Sequence, residues 1–94
     1  MRLATCSLGK ENISLTLTLK ADNLLNQLES NSYPNIFNQE DAIVLDFFNG
    51  HKSLKIYVYE KEVKGIYFED EVYIEEYAYL DVNKVQNLIN RHGM

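Results

Sequence analysis

The side chains that most often carry out catalysis are few in this sequence. It contains two histidines, His51 and His92, and one cysteine, Cys6. His51 follows an Asn-Gly dipeptide, so we expect a turn residue, and His92 suits the role of a positive charge at a helix end. Neither histidine belongs to a metal-ligand pattern such as paired histidines or Cys-x-x-Cys. A Cys6–His51 nucleophile pair is the catalytic alternative, although Cys6 fits better as a small apolar strand residue.

Carboxylates are numerous, but their spacing does not suit catalysis. Glycosidases and metal-dependent nucleases need carboxylates that converge in one cleft. Glu75 and Glu76 are neighbours on a predicted strand and therefore point to opposite faces. The run at 69–71 lacks the spaced oxygen ligands of a calcium loop, and the isolated glycines form no phosphate-binding loop. We therefore predict that the protein is not an enzyme and that it has no cofactor and no metal ion.

The negative charge is concentrated in one segment. Between Glu60 and Asp81 there are eight acids and two bases, a net charge of −6, whereas the whole chain has −5. Tyrosine is enriched in protein interfaces, and carboxylates attract and orient a basic partner. The tyrosines in or just before this segment are Tyr57, Tyr59, Tyr67, Tyr73, Tyr77 and Tyr79.

Strand alternation predicts how these side chains are arranged. Positions 71, 73, 75 and 77 fall on one face of the last strand, and Val72 and Ile74 fall on the other. If Val72 and Ile74 point into the core, a ladder of carboxylates and phenols faces solvent. The alternative is that the tyrosines merely pack across an open sheet face with solvated acids between them. The predicted partner-binding residues are Tyr57, Tyr59, Tyr67, Glu69, Asp70, Glu71, Tyr73, Glu75 and Tyr77.

The first half of the chain predicts a hairpin and a helix. Residues 2–8 form a possible first strand, followed by a turn at 9–12. Residues 13–20 alternate apolar and polar side chains and are the clearest strand pattern in the sequence. A short helix should begin at Asp22 or Asn23 and end near 30–32, before a loop at 33–35 and an irregular stretch to 41.

The second half predicts four strands and a final helix. The strands fall at 42–48, 53–59, 63–68 and 72–80, with Asn49-Gly50 as a type I′ turn. Gly65 inside a strand indicates a bulge or a close backbone approach. Asp81 should cap the last helix, and Gly93 should end it.

The element order is therefore β-β-α-β-β-β-β-α. Strands linked by hairpins predict an α+β fold with a mainly antiparallel sheet of about five to six strands and two helices. The chain of 94 residues fits one α+β domain, spanning 1–94.

Charge and hydropathy exclude several classes of protein. A net charge of −5 argues against direct binding of nucleic acid through its phosphates and against an anionic membrane surface. The longest apolar run, at 42–45, is far too short for a signal peptide or a membrane span. A lone cysteine cannot form an internal disulfide. We therefore expect a cytoplasmic protein.

These observations favour a small protein that binds another macromolecule. The leading hypothesis is an immunity-type inhibitor that neutralises a basic partner, such as a nuclease toxin, by occluding its active or nucleic-acid-binding surface. The first alternative is a DNA mimic, whose carboxylates imitate duplex phosphates and block a DNA-binding enzyme. The second is a self-associating structural domain that forms a homodimer through exposed strand edges.

Overall fold

The computed structural model describes residues 15–30 and 33–94. Within these residues a helix precedes five strands, and a second helix follows them. No helix of the described part is both long and apolar enough to cross a membrane. The elements are α1 (Leu15–Gln27), β1 (Asn35–Gln39), β2 (Ala42–Asn49), β3 (Lys52–Val58), β4 (Val63–Glu69), β5 (Val72–Tyr77) and α2 (Val82–Arg91).

The five strands form one antiparallel meander. Their order in the sheet is the same as their order in the chain, from β1 to β5, and each neighbouring pair is antiparallel. Among the described strands, β1 and β5 are therefore the two edges. The α+β class and the largely antiparallel sheet are confirmed. The predicted order of elements is wrong within the described residues, because residues 15–20 are helical and because five strands, not four, follow this helix.

Helix α1 replaces the strand that the alternating pattern predicted. Residues 15–20 of that pattern lie in the helix, and Asp22 and Asn23 lie within it and not at its start. Leu17 is 2% exposed, whereas Leu19 is 53% exposed. The same residues thus contain a second pattern, in which apolar side chains recur at helical spacing on one face, and it is this pattern that packs into the core. That buried face consists of Leu17, Ala21, Leu24 and Leu25, and Leu28 directly after the helix is also buried.

The segments on both sides of α1 differ in how far the structure describes them. The predicted strand at 2–8, the turn at 9–12, and residues 13 and 14 lie outside the described residues, as does Cys6. The helix ends at Gln27, three residues before the predicted range. The stretch after it, predicted as irregular, contains strand β1, which pairs with β2 from Asn35↔Asp46 to Gln39↔Ala42. Asparagine is a poor strand former, so pairing with β2 stabilises β1 where local propensity does not.

The central hairpin was predicted correctly except for the position of its turn. Leu54, Ile56 and Val58 are fully buried on one face of β3, as the alternation predicted. Asn49 pairs with Lys52, so the two turn residues are Gly50 and His51. Gly50 has φ +63, but His51 does not have a positive φ. Positive φ at the first turn residue alone is typical of type II′, not of the predicted type I′.

Gly65 of β4 marks a close approach in the core. A Cβ atom at this position would lie 3.2 Å from Leu80 Cδ1 and 3.3 Å from Ile56 Cδ1. These distances are shorter than ordinary van der Waals contacts. Of the two predictions for Gly65, the close approach is confirmed, whereas Gly65 itself pairs regularly with Tyr77 and the bulge of this hairpin lies in β5, opposite Tyr67 and Phe68.

Helix α2 begins and ends as the sequence predicts. The Asp81 carboxylate accepts a hydrogen bond from Lys84 N at 2.8 Å, and Val85, Leu88 and Ile89 are buried. Gly93 has φ +73, and Met94 N donates to Ile89 O at 2.9 Å. This pair of features is a Schellman C-cap, which places the Met94 side chain in the core.

Candidate functional site

The predicted site is centred on the hairpin of β4 and β5. Its turn consists of Asp70 and Glu71, both exposed, with φ +52 and +65. Two consecutive positive φ values define a type I′ turn, which fits the twist of a hairpin but normally uses asparagine and glycine. Asp70 N donates to His51 O at 2.8 Å and so ties this turn to the neighbouring one.

A β-bulge interrupts the alternation of β5. Phe68 pairs with Tyr73, but the preceding residue, Tyr67, pairs with Glu75. Ile74 is therefore an extra residue, and the side chains on its two sides point to opposite faces of the sheet. Tyr73 lies with Phe68 on the open face, whereas Glu75 lies with Tyr67 on the face that the helices cover. The predicted ladder at 71, 73, 75 and 77 on one face is therefore wrong.

The exposed part of β5 is apolar at its centre. Val72 is 60% exposed, Tyr73 is 56% exposed and Ile74 is 45% exposed. The condition for the ladder, that Val72 and Ile74 point into the core, is therefore not met. Asp70, Glu71 and Glu76 are exposed next to this row. We call the six residues Asp70, Glu71, Val72, Tyr73, Ile74 and Glu76 the β5 edge.

Four of the predicted site residues lie on the other side of the hairpin, beneath the end of α2. The Tyr67 hydroxyl donates to Glu69 Oε2 at 2.8 Å, and the Tyr77 hydroxyl donates to Glu75 Oε2. The ring of His92 stacks on Tyr67, with 3.7 Å between ring centroids and 14° between planes. We call Tyr67, Glu69, Glu75, Tyr77 and His92 the histidine cluster.

Hydrogen bonding sets the tautomer of His92. Its Nε2 atom lies 3.3 Å from the Tyr77 hydroxyl oxygen. Since that hydroxyl donates its proton to Glu75, its oxygen accepts a hydrogen bond from Nε2–H. Burial lowers the pKa of His92, and the nearby Arg91 charge lowers it further, against the opposing effect of Glu75. Burial and the Arg91 charge thus favour the neutral form of His92, and not the positive charge that the sequence predicts at this helix end.

The two tyrosines of the histidine cluster hold their protons tightly. Burial, followed by the hydrogen bond to Glu69, raises the pKa of Tyr67 to about 12. Burial and the hydrogen bond to Glu75 raise the pKa of Tyr77 to about 12. Both phenols stay protonated at neutral pH, so they act as hydrogen-bond donors to two carboxylates. Those two carboxylates are therefore engaged within the protein, unlike the acids of the β5 edge.

The remaining predicted residues, Tyr57 and Tyr59, lie towards the open face of the sheet. Tyr57 pairs with Lys64, whose Nζ is 5.8 Å from the ring centroid of Tyr59. Burial raises the pKa of Tyr57. Both tyrosines line a depression of about 260 Å³ that also contains Glu76, so they adjoin the β5 edge.

A second depression connects the acidic turn to the aromatic side chains of the open face. It has a volume of about 710 Å³, and Asp70 and Glu71 line it together with Phe48 and Phe68. Asp46 at its floor is already paired, because it accepts hydrogen bonds from Ser53 at 2.8 Å and from Lys55 at 3.1 Å. The open face beside the β5 edge is therefore partly aromatic and carries both signs of charge.

Over residues 15–30 and 33–94, no group of three His, Cys, Asp or Glu side chains could hold a metal ion. Glu75 and Glu76 point to opposite faces, as predicted. The Cys6–His51 pair lies outside the described residues because of Cys6.

Sequence reasoning missed Val72, Ile74 and Glu76 as exposed residues of the site. It placed all three on the face opposite the ladder and allowed two of them to enter the core. The sequence contained one signal that these residues are exposed. By alternation Glu76 lies on the same face as Val72 and Ile74, and a carboxylate is unusual on the buried face of a strand. Acids at both Glu75 and Glu76 are more typical of an edge strand.

Comparisons with known proteins add no constraint on this site. No protein-family model matches the sequence, and neither the curated proteins nor the solved structures give a significant match.

Proposed function

We propose that this protein is a small acidic inhibitor of the immunity type. It neutralises a basic protein, such as a nuclease toxin, by covering the active or nucleic-acid-binding surface of that partner. The observation that carries the proposal is the row Val72–Ile74, three consecutive exposed apolar residues on a sheet edge, next to the exposed carboxylates of Asp70, Glu71 and Glu76.

An apolar centre and a charged rim are the usual parts of a protein interface. Desolvation of exposed apolar and aromatic side chains provides most of the affinity, and Tyr73 is of a residue type that is enriched at binding hot spots. The rim contributes orientation and speed of association, because opposite charges steer the partner towards the site. The β5 edge combines both features within one hairpin.

The sign of the charge points to the class of partner. The segment from Glu60 to Asp81 has a net charge of −6, and like charges that lie close together oppose one another. A protein that binds nucleic acid presents lysines and arginines that normally contact phosphates. Carboxylates can form charge-assisted hydrogen bonds with those same side chains. An enzyme that handles nucleic acid is therefore the partner that the charge favours.

The test is a pull-down from the native host with two charge-reversed variants. The site variant is Glu71→Lys with Glu76→Lys, on the β5 edge. The matched control is Glu40→Lys with Asp41→Lys, at the exposed turn between β1 and β2, on the opposite edge of the sheet. Both variants change the net charge by the same amount. A difference in binding between them therefore reports where the charge lies and not the total charge of the protein.

We expect the wild type and the control to retain one basic protein at low salt and to release it as salt rises. The site variant should retain at least about tenfold less, because its charges repel the partner. Equal retention by both variants would overturn the assignment of the surface. Recovery of a DNA-binding enzyme whose DNA competes with this protein would favour the DNA mimic instead.

Self-association is the second candidate function, and strand β1 favours it. Residues Asn35–Gln39 contain no charged side chain, and Phe37 is exposed. An edge without charge lacks the usual protection against pairing with another strand. Light scattering over a range of concentrations tests this candidate. A dimer that Phe37→Lys converts to monomer would support it, and a monomer at all concentrations would exclude it.

A further inference from the structure

We propose that the partner binds by strand addition, placing an extended basic segment beside β5 as a further strand of the sheet. This inference rests on the proposed function, and it adds the binding mode and the chemistry of the bound segment. The segment would lie along the outer side of β5, with apolar side chains against Tyr73 and lysine or arginine opposite Glu71 and Glu76.

The backbone of β5 has hydrogen-bonding groups available for this pairing. β5 is the last strand in the order of the described sheet, so its outer side faces no other described strand. Glu69 and Val72 close the two-residue turn and form its hydrogen-bonded pair. The next pair, Phe68 and Tyr73, is therefore of the non-hydrogen-bonded type. In such a pair the N–H and C=O groups point away from the neighbouring strand, so those of Tyr73 point to the open edge.

The side chains determine which strand this edge accepts. A second copy that paired through its own β5 would bring the acids of one copy close to those of the other, and like charges across strands are destabilising. A basic segment would instead compensate them. Tyr73 and Glu76 both lie on the open face, because they pair with Phe68 and Ile66. An incoming strand that places apolar and basic residues on this face matches both positions.

The bulge at Ile74 sets the register of such a segment. It leaves Ile74 without a pairing partner on β4. As a result, Tyr73 and Glu76 lie on the same face although two residues, Ile74 and Glu75, lie between them. A regular incoming strand therefore gains most from one apolar contact at Tyr73 and one charged contact at Glu76. Bulges near a sheet edge often re-aim side chains in this way.

The experiment uses two synthetic peptides as probes. Every second residue of both peptides is threonine, and the residues between the threonines are alternately lysine and valine in one peptide and alternately glutamate and valine in the other, so that one face of each strand carries both a charged and an apolar side chain. Each peptide is titrated into the whole protein at low salt, and affinity is measured by calorimetry. Two variants distinguish the contribution of the backbone to binding from that of the side chain. Tyr73→Ala and Tyr73→Pro both remove the phenol, but only Tyr73→Pro also removes the backbone N–H that points to the open edge. Proline is tolerated on an edge strand where the N–H faces solvent.

We expect the lysine–valine peptide to bind the wild type and the glutamate–valine peptide not to bind. Tyr73→Pro should bind at least about tenfold more weakly than Tyr73→Ala, because it cannot donate the hydrogen bond to the added strand. Amide hydrogen exchange of Tyr73 in the wild type should slow at least about tenfold when the peptide is bound. This second measurement decides the question if Tyr73→Pro does not fold.

Strand addition would be overturned if the lysine–valine peptide did not bind, or if both peptides bound equally well. It would also be overturned if the two Tyr73 variants bound the peptide with equal affinity and the peptide left amide hydrogen exchange at Tyr73 of the wild type unchanged. If the pull-down still depends on Glu71 and Glu76 in these cases, the acidic inhibitor survives and only the binding mode fails. If the pull-down shows no dependence on them, the proposed function fails independently of the peptide result.

Discussion

The imidazole ring of His92 lies almost parallel to the phenol ring of Tyr67, with 3.7 Å between their centroids. Tyr67 is only 3% exposed, and His92 is the first residue after helix α2. This stacking joins the end of the last helix to the hairpin that bears the β5 edge. The histidine cluster therefore supports the β5 edge from the face of the sheet that the helices cover.

Acid should weaken the fold through His92. Its pKa is lowered in the folded protein, so the unfolded chain takes up a proton first as pH falls below about 6.5. As the pH falls from 7.5, the free energy of unfolding should therefore decrease until the pH lies below the pKa of His92 in the folded protein. Below that pH, His92 should cause no further decrease. Urea unfolding at several pH values measures it. His92→Phe keeps a ring on Tyr67 and should remove this part of the dependence, whereas His51→Gln should retain it.

Alkali should weaken the fold through Tyr67 and Tyr77. Their pKa values rise to about 12 in the folded protein, so the unfolded chain loses these protons first above about pH 10. Stability from these groups is present below pH 10 and is lost between about pH 10 and 12. Tyrosinate absorbance during alkaline titration reports both ionisations. The double variant Tyr67→Phe with Tyr77→Phe should lack the part of the late absorbance change that these two tyrosines contribute, and an identical titration curve would contradict the prediction.

Substitutions in the turn at Asp70 and Glu71 should stabilise the protein. Both residues adopt a left-handed backbone conformation that glycine and asparagine tolerate better. Asp70→Asn combined with Glu71→Gly should raise the free energy of unfolding by about 1 kcal/mol, as measured in urea. Asp70→Asn combined with Glu71→Ala removes the same charges without the conformational freedom of glycine. If this control stabilises the protein equally, charge and not backbone conformation is the cause.

Two leucines of α1 should differ sharply in their contribution to stability. Leu17 is buried and Leu19 is mostly exposed, although a strand would place both on the same face. Leu17→Ala should cost about 2–5 kcal/mol, because it leaves a cavity in the core. Leu19→Ala should change stability by less than about 0.5 kcal/mol. Equal losses measured by thermal or urea unfolding would favour the strand that the alternation predicts.

Local patterns were sufficient for much of the fold. The alternation of Leu54, Ile56 and Val58 predicted β3, and the Asp81 cap with its apolar face predicted α2. These elements could be predicted because backbone geometry fixes their periodicity and their caps need specific side chains. The concentration of acids in the last hairpin is likewise a property of the sequence alone.

Other features required the tertiary structure. Residues 15–20 carry both a strand pattern and a helical one, and only packing against the sheet selects the helix. Strand β1 has weak propensity and depends on its pairing with β2. The bulge at Ile74 moves Tyr73 and Glu75 to opposite faces, so it divides the predicted site between the β5 edge and the histidine cluster. Composition and charge thus come from the sequence, whereas the face that each side chain occupies depends on long-range pairing and on which surfaces the helices cover.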